Sequence, residues 1–347
     1  MIRNVSTGRV KLDSVKVKIP SDSFTILAPD AFFTALRLDK GATVSERLQA
    51  KPEALRGPQA VGLKSIEIGQ DETTIELSAK VLKGDYYDLI TARNIERAIA
   101  EVNGAGLIEL DSNRFLDTAE VLRCDTTGNL HVSGDVSDYL ASLKVYGRLH
   151  PKYEVKPYNT TGVVFRRNVS SYKERLIFYD KFTEIMRDKQ RDVLLPDRFQ
   201  NVLRVEGGHT DFKRIRERFK VSERRLLVEV LQSQQNVNLQ LFRRIVDSPD
   251  VQQARAKFDA LRSYGGRLRD IEKRKGMEGI IEACNYDMEL VRAFLKSTVR
   301  GNLSGYFRRY SELLADMISR GEGGEESGAS DYDTDLIGEI RELLKAA

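Results

Sequence analysis

Short runs that are typical of β-strands dominate this chain up to about residue 210. They occur at 15–19, 66–68, 74–77, 107–110, 120–127, 161–168, 174–179 and 201–206. Some alternate apolar and polar residues, which sends successive side chains to opposite faces and is typical of a strand with one buried face, and others, such as 176–178, are continuously apolar. Many short strands separated by turn residues predict a mostly antiparallel sheet.

The pattern changes to the helical period after Asp211. Phe212, Ile215 and Phe219 are spaced to share one helix face, and further helical patterns follow to about residue 319. The predicted fold class is therefore α+β, with a mostly antiparallel sheet core, flanking helices and an α-helical C-terminal region. We predict three segments, an α+β core over 1–220, a helical region over 221–320, and an acidic linker with a short amphipathic tail helix over 321–347.

Composition excludes several classes of protein. Basic and acidic residues nearly balance, at 56 and 52, so net charge alone does not indicate a nucleic-acid partner. The two cysteines are far apart and not in metal-ligand spacing, and the first residues do not resemble a signal peptide, which together predict a reducing, cytoplasmic compartment. With only three histidines, a histidine-rich metal site is not expected. No apolar run approaches the roughly 20 residues that a spanning helix needs, so no membrane partner is expected.

One strand ends in a cluster of reactive side chains. Residues 176–178 form an apolar strand run, and the helical period begins at Phe182. Alternation places Tyr179 and Lys181 on one strand face, with Glu184 one helical turn later. A phenol, an ammonium group and a carboxylate are therefore expected to meet at the end of a sheet.

Two further strands repeat a pair of opposite charges on one face. Arg123 and Asp125 are two residues apart, as are Arg204 and Glu206. Charges on a half-buried strand need a partner or a function. One interpretation is an ion-pair ladder in which Arg123 pairs with Glu206 and Arg204 pairs with Asp125.

The other interpretation is a catalytic site. Asp125, Glu184 and Glu206 come from three elements, and oxygen ligands of this kind suit Mg²⁺ or Mn²⁺. A metal there would polarise a phosphodiester, which Tyr179 would attack to form a phosphotyrosine bond. Lys181 is the cation that would favour the phenolate or bind the phosphate.

A basic stripe follows the last strand. Between residues 211 and 225 there are seven basic residues and three acidic ones. Such a stripe is equally typical of a solvated helix face and of a surface that contacts phosphates.

These residues, taken together, resemble a known family. Tyr-Asp-Lys-x-x-Glu at 179–184, Leu-Arg-Val-Glu at 203–206 and Leu-Arg-Cys-Asp at 122–125 are similar to motifs of rolling-circle replication initiators. The closest types are plasmid initiators of the Rep_trans kind and the filamentous-phage gene II family. The resemblance extends over about residues 12–220.

The resemblance implies a metal-dependent DNA nicking and joining enzyme that initiates rolling-circle replication of a plasmid or phage. It implies Tyr179 as nucleophile assisted by Lys181, and a Mg²⁺ or Mn²⁺ site at Asp125, Glu184 and Glu206. The partners expected are single-stranded or cruciform origin DNA, a host helicase and a second copy of the chain. The residues predicted to bind DNA are Arg123, Arg166, Arg167, Arg204, Arg214 and Arg218.

The chain departs from the broader nickase class in one respect. It lacks a paired His-x-His motif, since His131 stands alone between Leu130 and Val132, which favours an all-acidic metal site. Two other functions remain open. One is a non-catalytic DNA-binding protein in which the carboxylates are structural pairs, and the other is a metal-dependent endonuclease that uses water as nucleophile.

Overall fold

The computed structural model describes residues 8–27, 62–159, 161–169, 172–188, 191–254, 256, 268–284, 286–298, 302–322 and 331–347. The chain forms two units, one of Met1–Gln252 with Asp335–Ala347 and one of Gln253–Thr334. These bounds differ from the predicted segments. Helices beyond residue 220 pack against the sheet, and the tail helix belongs to the first unit.

A large antiparallel sheet forms the centre of the first unit. The strands are β1 (Leu12–Pro20), β2 (Phe24–Ile26), β3 (Leu63–Ile68), β4 (Glu72–Ser78), β5 (Ile108–Leu110), β6 (Glu120–His131), β7 (Glu154–Tyr158), β8 (Gly162–Val169), β9 (Tyr172–Asp180) and β10 (Val202–His209). Eight strands form one sheet in the order β3-β4-β1-β6-β10-β9-β8-β7, while β2 and β5 pair separately. Neighbours are antiparallel throughout, and the predicted fold class is confirmed.

Helices flank the sheet and make up the second unit. They are α1 (Ile95–Gly104), α2 (Ser112–Thr118), α3 (Val136–Gly147), α4 (Lys181–Met186), α5 (Arg191–Leu194), α6 (Phe212–Phe219), α7 (Leu227–Gln232), α8 (Val237–Ile245), α9 (Leu268–Ala283), α10 (Met288–Thr298), α11 (Leu303–Glu322) and α12 (Asp331–Ala346). Short 3-10 segments occupy Ser21–Ser23, Ala79–Asp88 and Pro196–Phe199. Among the described residues, no helix is long and apolar enough to cross a membrane.

The two faces of the sheet have opposite character because side chains alternate along each strand. Phe165, Phe178 and Val205 lie on the apolar face and are fully buried. Helices α3 and α8 pack on this face, and Phe178 meets Phe242 of α8 with ring centroids 6.3 Å apart. The opposite, polar face carries the residues of the candidate site.

The tail helix α12 docks on the first unit. Ile337, Ile340 and Leu344 are buried, and Arg341 donates two hydrogen bonds to Asp247, each of 2.7 Å. Amphipathic spacing in the sequence therefore reflects a docked helix. Most of the predicted linker over 321–330 lies outside the described residues.

Candidate active site

A row of residues from five neighbouring strands crosses the polar face. Tyr158 of β7 pairs with Gly162 of β8, which pairs with Tyr179 of β9. Tyr179 pairs with Arg204 of β10, and Arg204 pairs with Asn129 of β6. Residues paired across an antiparallel sheet project to the same side, so the register brings two tyrosines and an arginine together.

Tyr179 is joined to a carboxylate on the next strand. Its hydroxyl donates a hydrogen bond to Oε1 of Glu206 at 2.5 Å. Tyr179 is 4% exposed and Glu206 is 8% exposed, so water competes little for this bond. A phenol hydrogen-bonded to a carboxylate belongs to the strong, charge-assisted class.

Burial changes the acidity of both groups. Burial raises the pKa of Tyr179 well above its ordinary value, and the charge of Glu206 raises it further. Burial also raises the pKa of Glu206 to about 7, and the charge of Asp13 adds to the rise. Near neutral pH, Glu206 is therefore able both to hold and to release a proton.

The strand becomes a helix directly after Tyr179. Asp180 caps α4 because its carboxylate accepts hydrogen bonds from the backbone N–H of Thr183 at 3.0 Å and from the Thr183 hydroxyl at 2.5 Å. Such a cap satisfies a backbone donor that the first helical turn leaves free. The cap makes Lys181 the first residue of the helix and directs it inward, where it is 1% exposed.

Lys181 lies between two tyrosines and a carboxylate. Its Nζ donates to Oε2 of Glu184 at 2.5 Å, and lies 4.9 Å from the Tyr86 ring centroid and 5.4 Å from that of Tyr179. Burial lowers the pKa of Lys181 to about 8, and the nearby charge of Arg204 contributes. The predicted meeting of Tyr179, Lys181 and Glu184 is therefore observed.

Arg204 is a second buried cation and is fully enclosed. Its Nε donates to Asn129 at 2.8 Å, and its Nη1 donates to Asp13 at 3.0 Å and to the Tyr86 hydroxyl at 2.8 Å. Burial acts to raise the pKa of Asp13, but the charges of Arg204 and Lys181 outweigh it and lower that pKa to about 2. The ion pair between Arg204 and Asp13 fixes the position of both side chains in the site.

Asp13 and Tyr86 were missed by sequence reasoning. The pairing of β1 with β6 shifts register between Leu12 and Ser14, and such a bulge redirects the side chain at the irregular position. Asp13 stands where the alternation of its strand would place an apolar residue. This break in the pattern is the feature of the sequence that could have pointed to Asp13. Tyr86 comes from the 3-10 segment Ala79–Asp88, whose position over the sheet no local pattern predicts.

Asp125 belongs to a separate cluster of charges. It accepts hydrogen bonds from Ser14 at 2.8 Å, Arg175 at 2.8 Å and Arg123 at 3.2 Å. Burial acts to raise the pKa of Asp125, but Arg175 and Arg123 outweigh it and keep that pKa below its usual value. Gly208 permits this arrangement, because a Cβ there would lie 2.4 Å from Nε of Arg175.

The ion pairs are not those of the predicted ladder. Arg204 pairs with Asp13 instead of Asp125, and Arg123 pairs with Asp125 instead of Glu206. The register of β6 with β10 sets Asp125 opposite position 208, four residues from Arg204. Distance along the strands therefore prevents the predicted pairing of Arg204 with Asp125.

The three carboxylates predicted to bind a metal do not form one set of ligands. Glu206 accepts from Tyr179, Glu184 accepts from Lys181, and Asp125 is held by arginines. In the described part of the chain, no three His, Cys, Asp or Glu side chains are grouped so that they could hold a metal ion. As arranged, these residues do not fit a Mg²⁺ or Mn²⁺ site, and the metal stays a prediction from the resemblance.

Two of the arginines predicted to bind DNA have internal partners. Arg204 is enclosed, as described, and the Arg218 side chain is 10% exposed. Arg218 pairs with the buried Glu174 and contacts His209 at 3.0 Å. Both guanidinium groups are bound by these internal partners, so the structure gives both a role in holding the fold.

The other predicted arginines reach the surface. Arg123 and Arg214 are partly exposed, and Arg166 pairs with the exposed Glu154 at 3.2 Å. Arg167 is half-buried. Arg175, which the sequence did not single out, lies partly exposed beside Arg123. Arg123, Arg166 and Arg175 lie on the polar face, four to six residues along their strands from the row that holds Tyr179.

A cleft of about 290 Å³ opens beside Tyr179. Tyr158 and Glu184 line it together with Tyr179. The buried phenol and its carboxylate are therefore adjacent to a space that a ligand could occupy.

The fold and site define an α+β protein with a large antiparallel sheet whose polar face carries a buried tyrosine, a proton-accepting carboxylate and two cations. No protein-family model, curated protein or solved structure matches this chain. Its function is therefore inferred from these residues.

Proposed function

We propose that this chain nicks one DNA strand at an origin through Tyr179 and rejoins the ends during rolling-circle replication of a plasmid or phage. The observation that carries the proposal is the 2.5 Å hydrogen bond from the Tyr179 hydroxyl to Glu206. A buried phenol is a weak nucleophile unless a neighbouring group removes its proton. We assign this role to Glu206.

The proposed reaction is a transesterification. The Tyr179 oxygen attacks phosphorus as its proton passes to Glu206, and the bond between phosphorus and the 3′-oxygen breaks. The 3′-oxygen leaves with the bonding electrons and takes a proton from the Lys181 ammonium group. The products are a 5′-phosphotyrosine and a free 3′-hydroxyl, and the reverse reaction joins the ends.

Two buried cations support this chemistry. The charge of Arg204 lowers the pKa of Tyr179 against the larger effects of burial and of Glu206, so it favours the phenolate. Lys181, with a pKa of about 8, is suited to donate a proton near neutral pH. Glu206, the proposed base, and Lys181, the proposed acid, therefore have pKa values near neutral pH.

The polar face provides a surface for DNA. We assign backbone contacts to Arg123, Arg166 and Arg175, which lie on that face, and to Arg214 of α6. Phosphate contacts of this kind position the strand without reading its sequence.

The proposal is tested by trapping the covalent product. Single-stranded DNA labelled at its 3′ end is incubated with the chain and Mg²⁺ or Mn²⁺, then resolved on a denaturing gel, with Tyr179→Phe and Tyr158→Phe as matched variants. We expect a labelled adduct for the parent and Tyr158→Phe, and none for Tyr179→Phe. The predicted metal is tested by chelation in the same assay.

A non-catalytic DNA-binding protein is the second candidate. The observation that favours it is the pairing of Asp125 with two arginines and of Arg204 with Asp13, which are structural uses of charge. Binding of DNA without an adduct, with or without metal, would support this candidate. Cleavage that persists in Tyr179→Phe would instead indicate a nuclease that uses water.

A further inference from the structure

We infer that the cleft beside Tyr179 is a nucleobase subsite, in which the Tyr158 ring stacks on a base next to the scissile phosphate. This inference rests on the proposed function. Tyr158 and Tyr179 both line the cleft, and their ring centroids are 5.4 Å apart. A base held on Tyr158 would therefore be close to the ring of Tyr179.

Gly162 creates the space that brings the two rings together. It lies in register between Tyr158 and Tyr179 on the same sheet face. A Cβ at Gly162 would lie 2.7 Å from Cβ of Tyr179 and 3.1 Å from Cδ1 of Tyr158. The absent side chain leaves a notch in the sheet surface, across which Tyr158 approaches the nucleophile.

The acidic side chains that line the cleft are paired with lysines. Glu184 and Asp188 line it with Arg187, and their carboxylates pair with Lys181 and Lys80. The lysines offset both negative charges, so the ring of Tyr158, which offers a stacking surface, is what favours a base. The scissile phosphate then lies on the polar face, and the adjoining base enters the cleft.

The polar edge of the cleft suits a base as well. Asn159 and Thr161 line it and supply amide and hydroxyl groups that hydrogen-bond to base edges. Asn159 adopts a left-handed backbone with φ of 48°, a conformation that asparagine tolerates better than most residues. The turn between β7 and β8 therefore presents a polar side chain next to the Tyr158 ring.

The test distinguishes recognition of the bases from recognition of the phosphate backbone. Affinities of the full chain carrying Tyr179→Phe are measured for a thymidine homopolymer and for an abasic deoxyribose-phosphate polymer of equal length. Adding Tyr158→Leu should weaken binding of the thymidine polymer by about 5- to 150-fold and leave the abasic polymer unchanged. Tyr158→Phe, which keeps the ring, should retain the parent affinities.

Equal effects of Tyr158→Leu on both polymers, or none on either, would overturn the inference. Thermal unfolding of each variant shows whether a uniform loss reflects misfolding. If Tyr158→Leu misfolds, Tyr158→Met, which also lacks the ring, takes its place and the same two outcomes decide. Adduct formation by the chain with Tyr179 intact is measured in parallel. If the adduct forms but Tyr158→Leu changes the affinities of the two polymers equally, the nucleobase subsite is wrong and the proposed function stands. If no adduct forms, the proposed function itself is wrong.

Discussion

The hydroxyl of Tyr179 donates a 2.5 Å hydrogen bond to Oε1 of Glu206, across the boundary between β9 and β10. Neighbouring strands hold both residues, and both are almost fully buried. In this arrangement Glu206 is the hydrogen-bond acceptor of the phenol, where the sequence predicted a metal ligand, and the proposed function makes it the base. Its consequences are measurable in rate and in pH dependence.

Glu206→Gln should slow adduct formation by about 10²- to 10⁴-fold, the usual contribution of a positioned acid or base. Glutamine has nearly the same shape and still accepts from Tyr179, but it does not take up the proton. The measurement is the single-turnover rate of adduct formation, with DNA affinity as a control for folding. A wild-type rate in this variant would exclude Glu206 as the base.

The rate of adduct formation should show a bell-shaped dependence on pH. Glu206, with a pKa of about 7, must be deprotonated, so activity should be lost as pH falls below that value. Lys181, with a pKa of about 8, must be protonated, so activity should be lost as pH rises above it. In Lys181→Arg the side chain stays protonated, and the alkaline loss should move upward or disappear. An unmoved alkaline limb would exclude Lys181 as its origin.

Asp125→Asn should destabilise the fold by about 1–3 kcal/mol, because hydrogen bonds from two arginines lose their charged acceptor. Since the pKa of Asp125 is lowered in the folded state, this stability is present at neutral pH and lost as pH falls through the acid range. Chemical unfolding at several pH values measures it. The matched control is Asp192→Asn, whose side chain is 92% exposed. Weakened Mn²⁺ binding with unchanged stability would instead favour a metal at Asp125.

Arg166→Ala should weaken DNA binding and lower the slope of log affinity against log salt by about one, as expected for one lost phosphate contact. Arg97→Ala of α1 is the matched control, since Arg97 is also exposed and paired with one carboxylate. Its slope should match that of the parent. The same slope in both variants would show that the strand does not pass over β8.

Ile340→Ala should destabilise the first unit by about 2–5 kcal/mol, the usual loss for a truncated core isoleucine. Ile340 of α12 is fully buried, so the change leaves a cavity where the tail helix docks. Ile318→Ala of α11 serves as the control. Ile318 is 47% exposed, so its truncation should change the free energy of unfolding little. Thermal unfolding followed by circular dichroism distinguishes them, and equal melting temperatures would mean that α12 does not hold the first unit.

The sequence by itself determined the local features of the site. Alternation predicted the strands, and the change of period after Tyr179 predicted the strand-to-helix junction that holds Lys181 and Glu184. It also predicted that Arg204 and Glu206 share a face. These features depend on residues close together in the chain, whose spacing fixes the side to which each one points.

Only the tertiary structure decided which charges meet. Asp13 reaches Arg204 through a bulge in β1, and Asp125 meets Arg175 because β10, which lies between their strands, has glycine at position 208. The amphipathic pattern of α12 likewise indicated a helix with one apolar face, but not that it docks on the first unit. Strand order, register and helix docking are set by packing between distant segments, so the spacing of neighbouring residues does not encode them.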